Sequence, residues 1–312
     1  MSALQRLISN PDAFGRVGLV VGGDSAEREV SLNGGRAVSA ALGRNGIQHE
    51  VFDGAMALFD GIRDGRVDRV FNLLHGPGGE DGSLQGALML MGVPLTGADL
   101  ASSALTMDKV RSKWVWERNG LATPAFEVLE PGNNQTDGIV ERLGLPLFVK
   151  PTGLGSSIGI SRVTAEADLD EAVALARQYG DHVIIESEVV GGEYFAGVVK
   201  NLSLPLIQIE TPREFYDYTA KYESNDTLYH CPCGLDDATE RSLREQSRRA
   251  FELLGASGWG RVDFLLDESG QPWFLEVNTT PGMTDHSLVP QAAAELGIGF
   301  DELIWHILET SL

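Results

Sequence analysis

The sequence predicts an α/β protein of three lobes, an N-terminal domain built on a parallel sheet followed by two α+β lobes. Three observations carry that expectation. Strand-like runs alternate with amphipathic stretches over the first third, the βαβ rhythm of a parallel sheet covered by helices. From Leu145 the texture changes to short strands around a Gly/Ser loop. Near the C-terminus, Gly260–Asp267 and Trp273–Asn278 alternate in sidedness around Glu268-Ser269-Gly270 and read as an antiparallel ribbon. The expected divisions are residues 1–97, 98–189 and 190–312.

In chain order, Val17–Gly22 is the first expected strand, followed by a helix over Ala26–Leu42 and a strand at His49–Phe52. Arg69–Leu74, a helix over Ser83–Met91 and a short strand at Pro94–Thr96 complete the first lobe. A helix over Met107–Asn119 stops at Gly120, and Thr123-Pro124 and Pro131–Thr136 mark turns or loops. Leu147–Lys150 and Gly159–Val163 flank the Gly/Ser loop, and a helix over Ala165–Tyr179 leads into a buried strand at His182–Ser187. Strands at Tyr194–Val199 and Leu204–Gln208 precede a long polar-aromatic segment. A helix over Ala238–Leu254, the ribbon, and a last helix over Phe300–Leu308 follow.

Composition narrows the function. The net charge of -21 argues against a nucleic-acid partner, because phosphate backbones require a basic face. An anionic substrate must therefore be drawn in by a locally basic pocket. No apolar run approaches the roughly 18 residues that span a bilayer, so no membrane partner is expected. The first ten residues lack the apolar region of a signal peptide, so a cytoplasmic location is the expectation. The two cysteines, Cys231 and Cys233, have neither a disulfide-framework count nor a zinc spacing.

The ribbon carries the sharpest chemistry. A turn centred on Ser269-Gly270 places Asp263 opposite Glu276 and Arg261 opposite Asn278, all on one face. Directly opposed residues have Cβ atoms about 4.5–5.5 Å apart. Two carboxylates so placed repel unless a cation lies between them, and with an amide oxygen and phosphate oxygens they suit Mg²⁺. A solvent-exposed strand face with ordinary polar residues is the alternative.

Other loops add to this. Lys150-Pro-Thr-Gly-Leu-Gly-Ser-Ser-Ile-Gly159 joins two strands, and its glycines let backbone N–H groups approach phosphate oxygens, with Ser156 and Ser157 as further donors. It lacks the Walker A order and also reads as a hairpin turn with a solvated lysine. Glu27 follows the first strand at the sheet's carboxyl edge, where a carboxylate could grip an ammonium, or simply favour the helix dipole. His75 lies in the glycine-rich loop Leu74–Gly82 and, taken alone, reads as structural. Glu214–Tyr222 gathers three tyrosines and Lys221 into a segment suited to a lid. Asn278–Ser287 leaves the ribbon through a Pro-Gly turn whose N–H groups could stabilise an oxyanion, and His286 there could equally be a satisfied loop residue.

Taken in order, Gly22–Ser31, His75–Gly82, Met107-Asp108-Lys109, Gly155-Ser156-Ser157, Phe215–Tyr222, Gly258–Asp263 and Glu276–Thr284 form a highly specific set. The chain resembles the D-alanine–D-alanine ligase family of the ATP-grasp superfamily from Val17 to Leu308. The resemblance implies a three-lobed ATP-grasp fold whose last two lobes sandwich ATP. It implies ATP-dependent joining of two D-alanines through a D-alanyl phosphate, for peptidoglycan precursors. It further implies two Mg²⁺ ions, with Mn²⁺ able to substitute, an accessory monovalent cation such as K⁺, and a homodimer.

Carried over by motif, Glu27 holds the first D-alanine's ammonium with His75 nearby, and Arg261 and the Gly282 N–H stabilise the tetrahedral oxyanion. Ser287 and Leu288 receive the second D-alanine. Lys109, Lys150 and Ser157 contact phosphates, and Lys221 approaches the transferred phosphoryl group. Glu186 and Val189 meet the adenine and Glu193 the ribose. Asp263, Glu276 and Asn278 bind the metals, while Ser156, Glu27 and Tyr222 close the lid. Tyr222 also favours the dipeptide product over a D-alanyl-D-lactate depsipeptide. Three positions depart from the pattern: Pro77 where arginine is frequent, Thr152-Gly153-Leu154 where charged residues are common, and Ser187 where a lysine is common. Ser187 implies altered nucleotide contacts.

Overall fold

The computed structural model describes residues 4–155, 157–212, 226–284 and 287–312. Its first sheet is parallel, in the order β2 (His49–Asp53), β1 (Val17–Val21), β3 (Arg69–Asn72). Every β1 residue is buried, the near-continuous apolar run of a central parallel strand. The expected strand at Pro94–Thr96 is a single parallel bridge between Val70 and Leu95, too short to continue the ladder.

Helix α1 (Arg28–Arg44) buries Ser31, Gly34, Gly35, Val38, Ala41 and Leu42, a helical stripe. It starts two residues later than the expected Ala26. Gly35 sets how close α1 lies to the sheet, because an added methyl would meet Val21 Cγ1 at 2.5 Å. Helices α2 (Gly54–Arg63) and α3 (Ser83–Met91) follow their strands. The expected helix over Met107–Asn119 is α5 (Lys109–Arg118), and a helix not expected from the sequence, α4 (Leu100–Met107), precedes it. Asp108 divides them with extended backbone (φ −88°, ψ 101°) and caps α5 by accepting from Arg111 N at 2.9 Å.

The second sheet runs β4 (Phe126–Leu129), β7 (Val183–Ser187), β5 (Leu147–Pro151), β6 (Ser161–Val163), all antiparallel. Strand β4 lies between the two proline-marked turns and was not expected from the sequence; it is a short, half-buried edge strand, so alternation is weak there. Helices α6 (Ile139–Leu143) and α7 (Leu169–Ala176) bury their apolar residues with this sheet. A 3-10 turn at Glu166–Asp168 takes up the first turn of the helix expected from Ala165.

The third sheet is antiparallel in the order β10 (Leu228–His230), β9 (Leu202–Glu210), β8 (Gly191–Val199), β11 (Trp259–Asp267), β12 (Pro272–Asn278). Helix α8 (Asp237–Leu253) packs on it, and Trp116 of α5 donates its indole N–H to Ala250 O at 2.9 Å. Helices α9 (Leu288–Glu295) and α10 (Phe300–Leu308) close the chain. Their apolar residues, with Trp259 and Phe195, share one core with Phe14, Leu19, Val38 and Phe71 of the N-terminal sheet. That shared core brings the loop leaving β12 against the loops at the carboxyl edge of the parallel sheet. Gly34 of α1 lies against the Met283 backbone for the same reason. No helix among the described residues is long and apolar enough to cross a membrane.

Candidate active site

Asp263 faces Glu276 and Arg261 faces Asn278, as expected, but the turn is not the one that predicted it. The strands close around a three-residue loop, Glu268-Ser269-Gly270, with Gly270 at φ +82° and Gly270 N donating to Asp267 O at 2.9 Å. Leu266 pairs with Pro272 and Phe264 with Phe274, one residue out of the expected register. A bulge between Asp263 and Phe264 absorbs the extra residue Leu275 and restores the expected pairing at the carboxylates.

Both carboxylates have cationic partners. Arg261 holds Asp263 bidentately, Nε to Oδ1 at 2.7 Å and Nη2 to Oδ2 at 2.7 Å, and its guanidinium lies 4.9 Å from the centre of the Phe195 ring. Lys109 Nζ is 3.0 Å from Glu276 Oε2 and donates to Leu154 O at 2.6 Å, tying α5 to the Gly-rich loop. Burial lowers the Lys109 pKa, but Glu276, Glu186 and Glu27 outweigh it and the net shift is upward. Asn278 Oδ1 accepts from Thr280 N at 3.1 Å.

Beside the ribbon opens a cleft of about 610 Å³, whose lining includes Lys109, Asp263, Glu276, Val189 and Glu193. Lys150, Ser157 and Glu186 form part of its wall. Ser157 has φ +58°, a left-handed conformation uncommon outside glycine. Glu186 is buried, with Lys150 Nζ 2.5 Å from Oε2 and Lys113 Nζ 2.9 Å from Oε1. Burial alone would raise the Glu186 pKa; the two lysines overcome it and hold the carboxyl at about 2. Lys113 was not singled out from sequence. The signal was its place one turn beyond Lys109, i+4 on the same helix face. Ser187 also lines the cleft and donates its hydroxyl to Leu143 O at 2.9 Å, while Arg162 grips Glu188 at 2.6 and 2.9 Å.

A second group of polar residues adjoins the cleft through the Gly-rich loop. Glu27 is buried at the N-cap position of α1 and makes no side-chain capping bond to that helix. A methyl group on Gly155 would lie 3.2 Å from Glu27 Oε2, and one on Gly76 3.0 Å from it, so the carboxylate sits between the Gly-rich loop and the His75 loop. That second loop folds tightly on itself: a methyl on Gly79 would meet Leu74 O at 2.3 Å. His75 is buried, with Nδ1 2.8 Å from Leu73 O, and its Nε2 has no hydrogen-bond partner among the described residues. Burial depresses the His75 pKa, opposed by Glu27.

Glu80, also missed from sequence, joins this loop to the one leaving β12. Its Oε2 accepts from Gly76 N at 2.6 Å and its Oε1 from Thr280 N at 3.2 Å. Burial, then Glu27, push its carboxyl up to about 8. Gly282 and Ser287 meet across the same loop, since a methyl on Gly282 would lie 3.1 Å from Ser287 Oγ. Ser287 Oγ accepts from Thr284 N at 2.9 Å, and Leu288 opens α9, buried. Ser156, Lys221, Tyr222 and His286 lie outside the described residues.

Two opposed carboxylates and an amide oxygen form the hard, oxygen-only donor set suited to Mg²⁺ when phosphate and water oxygens complete it. The described residues hold no cluster of three or more His, Cys, Asp or Glu side chains placed to bind a metal.

The family model for "D-ala D-ala ligase C-terminus" matches residues 115–309, and that for "D-ala D-ala ligase N-terminus" matches residues 54–98. The chain is 49% identical over 308 residues to the D-alanine--D-alanine ligase of Methylococcus capsulatus, covering 99% of each chain. It is 49% identical to that of Alkalilimnicola ehrlichii, covering 95% of this chain and 94% of the other. Among solved structures it is similar to a D-alanine--D-alanine ligase from Bacillus anthracis complexed with ATP, with a TM-score of 0.84 and 30% identity over 95% of this chain and 97% of that one. It is also similar to the VanG D-Ala:D-Ser ligase from Enterococcus faecalis, with a TM-score of 0.84 and 29% identity over 95% of this chain and 99% of that one.

Proposed function

The chain belongs to the D-alanine–D-alanine ligase family, and from that premise we propose that it joins two D-alanines at the expense of ATP through a D-alanyl phosphate. One observation carries the reading. One cleft is lined by Lys150, Ser157 and the Asp263–Glu276 pair, and Gly155 links it to the buried Glu27 carboxylate. A polyphosphate, a divalent cation and an ammonium group thus have complementary partners within one site.

In this proposal adenine lies by Glu186 and Val189, the ribose by Glu193, and the phosphates by Lys109, Lys150 and Ser157. Asp263, Glu276 and Asn278 hold two Mg²⁺ ions, which neutralise charge on the phosphates. Glu27 orients the first D-alanine by its ammonium, beside His75. That D-alanine's carboxylate takes the γ-phosphoryl group and ADP leaves. The amine of the second D-alanine, placed by Ser287 and Leu288, attacks the acyl carbon, and phosphate departs as the amide forms. The Gly282 N–H and Arg261 stabilise the oxyanion between these steps. A guanidinium has five donors, so its two bonds to Asp263 do not preclude that contact. Lys221, Tyr222 and Ser156 complete the proposal as lid groups that exclude water from the acyl phosphate.

The proposal includes the divisions at residues 1–97, 98–189 and 190–312, a cytoplasmic location and a homodimer. Exposed apolar side chains on α3 and α4, among them Met89, Leu90 and Leu100, support self-association.

The test is Mg²⁺-dependent ADP release with D-alanine alone and with added D-serine or D-lactate, the products identified by mass. D-alanyl-D-alanine from D-alanine alone is expected. A mixed dipeptide or depsipeptide as the main product at neutral pH would move the second-substrate assignment. Saturable ATP binding without turnover would sink it.

A further inference from the structure

Lys113 is fully buried and does not line the cleft, whereas Lys150 lines it with its side chain 14% exposed. Lys113 also donates to Thr123 Oγ1 at 2.5 Å, and that hydroxyl donates to Phe274 O on β12 at 2.8 Å. Its ammonium is therefore anchored by the protein alone. A single buried carboxylate, Glu186, is shared by this fixed ammonium and by one facing the cleft.

We propose that Lys113 is a positioning residue, the permanent counter-ion of Glu186 that leaves Lys150 able to exchange from Glu186 to the phosphates of a bound nucleotide. The inference rests on the reading of the cleft as an ATP site. With Lys113 present, Glu186 and two lysines carry one surplus positive charge, which a polyphosphate neutralises. Without it, Lys150 becomes the carboxylate's lysine partner, and drawing it away would strand a buried charge, a strongly unfavourable change. Burial lowers the pKa of Lys113 and Glu186 opposes that fall; the depressed carboxyl of Glu186 is the direction the two close ammoniums support.

Equilibrium binding of β,γ-methylene ATP and of adenosine, both with Mg²⁺, tests the inference on the full chain. The variants are Lys113→Met, Glu186→Gln and the two combined. Lys113→Met is expected to weaken the ATP analogue by about tenfold or more, the worth of a lost charged contact, and adenosine much less. Adding Glu186→Gln to Lys113→Met is expected to recover most of the difference, because a neutral amide does not retain Lys150. Equal loss for both ligands, or no recovery, overturns the inference. Should Lys113→Met fail to fold, Glu186→Gln is compared with the charge-balanced double variant. Little change in analogue affinity is then expected on removing Lys113, and a tenfold loss overturns the inference. A wild-type chain that binds neither nucleotide overturns the ATP reading itself, and this inference with it.

Discussion

Asp263 faces Glu276 across the β11–β12 ribbon, and the two carboxylates are neutralised from different directions. Arg261, two residues away on the same strand, clamps Asp263; Lys109, from the start of α5, reaches Glu276 at 3.0 Å. Like charges at opposed positions are unfavourable, so the pairing demands cations. Protein cations meet that demand here, and metal ions bound with nucleotide would meet it in turn.

Replacing Glu276 with Gln removes a carboxylate from the metal set and the anionic partner of Lys109. The Mg²⁺ concentration for half-maximal ADP release should rise at least about tenfold, since even outer-shell changes at metal sites cost about 10–100-fold. A Mg²⁺ titration that overlays the wild type would exclude Glu276 as a ligand.

Glu27→Gln keeps the shape but loses the charge that would hold an ammonium. The KM for D-alanine should rise on the order of ten- to a hundredfold, as expected for a lost hydrogen bond to a charged group, while the KM for ATP stays nearly constant. Equal changes in both constants would mean that the loops had moved and that no specific contact was lost.

Glu80 yields a pH signature. Its folded value of about 8 lies above the ordinary 4.5, so the folded chain binds the extra proton between those limits. The associated stability is fully present below about 4.5 and is lost as pH rises through about 8. Glu80→Gln cannot ionise, so its Tm should fall less than the wild type's between pH 6 and pH 9. Parallel curves would show that Glu80 is already ionised in the fold.

The N-terminal segment has a structural task. Leu7 N and Ile8 N donate to the buried Glu309 Oε1 at 2.6 and 3.2 Å, Arg6 pairs with Glu302, and its guanidinium lies 3.9 Å from the Trp305 ring centre. Deleting residues 1–9 should lower Tm by several degrees, because each lost bond to a charged group is worth about 1.5–3 kcal/mol. D-alanine and ATP constants should hold. A truncated chain of unchanged Tm would show that water replaces these contacts.

A Ser187→Lys variant tests the departure from the family pattern. A cation on that wall should lower the KM for ATP by a few-fold, within the worth of a single exposed charge contact. An unchanged KM would show that Ser187 is neutral for nucleotide binding.

Alternation along two strands and a Gly-containing turn were enough to bring Asp263, Glu276, Arg261 and Asn278 to one face, because strand sidedness is local. The agreement rested on two compensating details, a turn centred on Ser269 instead of between Ser269 and Gly270, and a bulge at Leu275. Helix α4 was missed, and Asp108, the capping residue of α5, was read as part of the helix expected from Met107. Lys113 looked like an ordinary surface lysine on a polar helix, and Glu80 like one acid in a glycine-rich loop. Only burial against Glu186 and Thr280 makes them distinctive.

By itself the sequence determined the chemical inventory and its local order: the oxygen donors on the ribbon, the Gly-rich loops, and Glu27 between the first strand and the first long helix. The tertiary structure decided which cation meets which carboxylate, since Lys109–Glu276 and Lys113–Glu186 join residues far apart in the chain. It also decided that the helices after β12 share a core with the first sheet, which brings Thr280 to Glu80. Coulomb energy and desolvation depend on distance and burial in space, and neither is a property of a residue's neighbours along the chain.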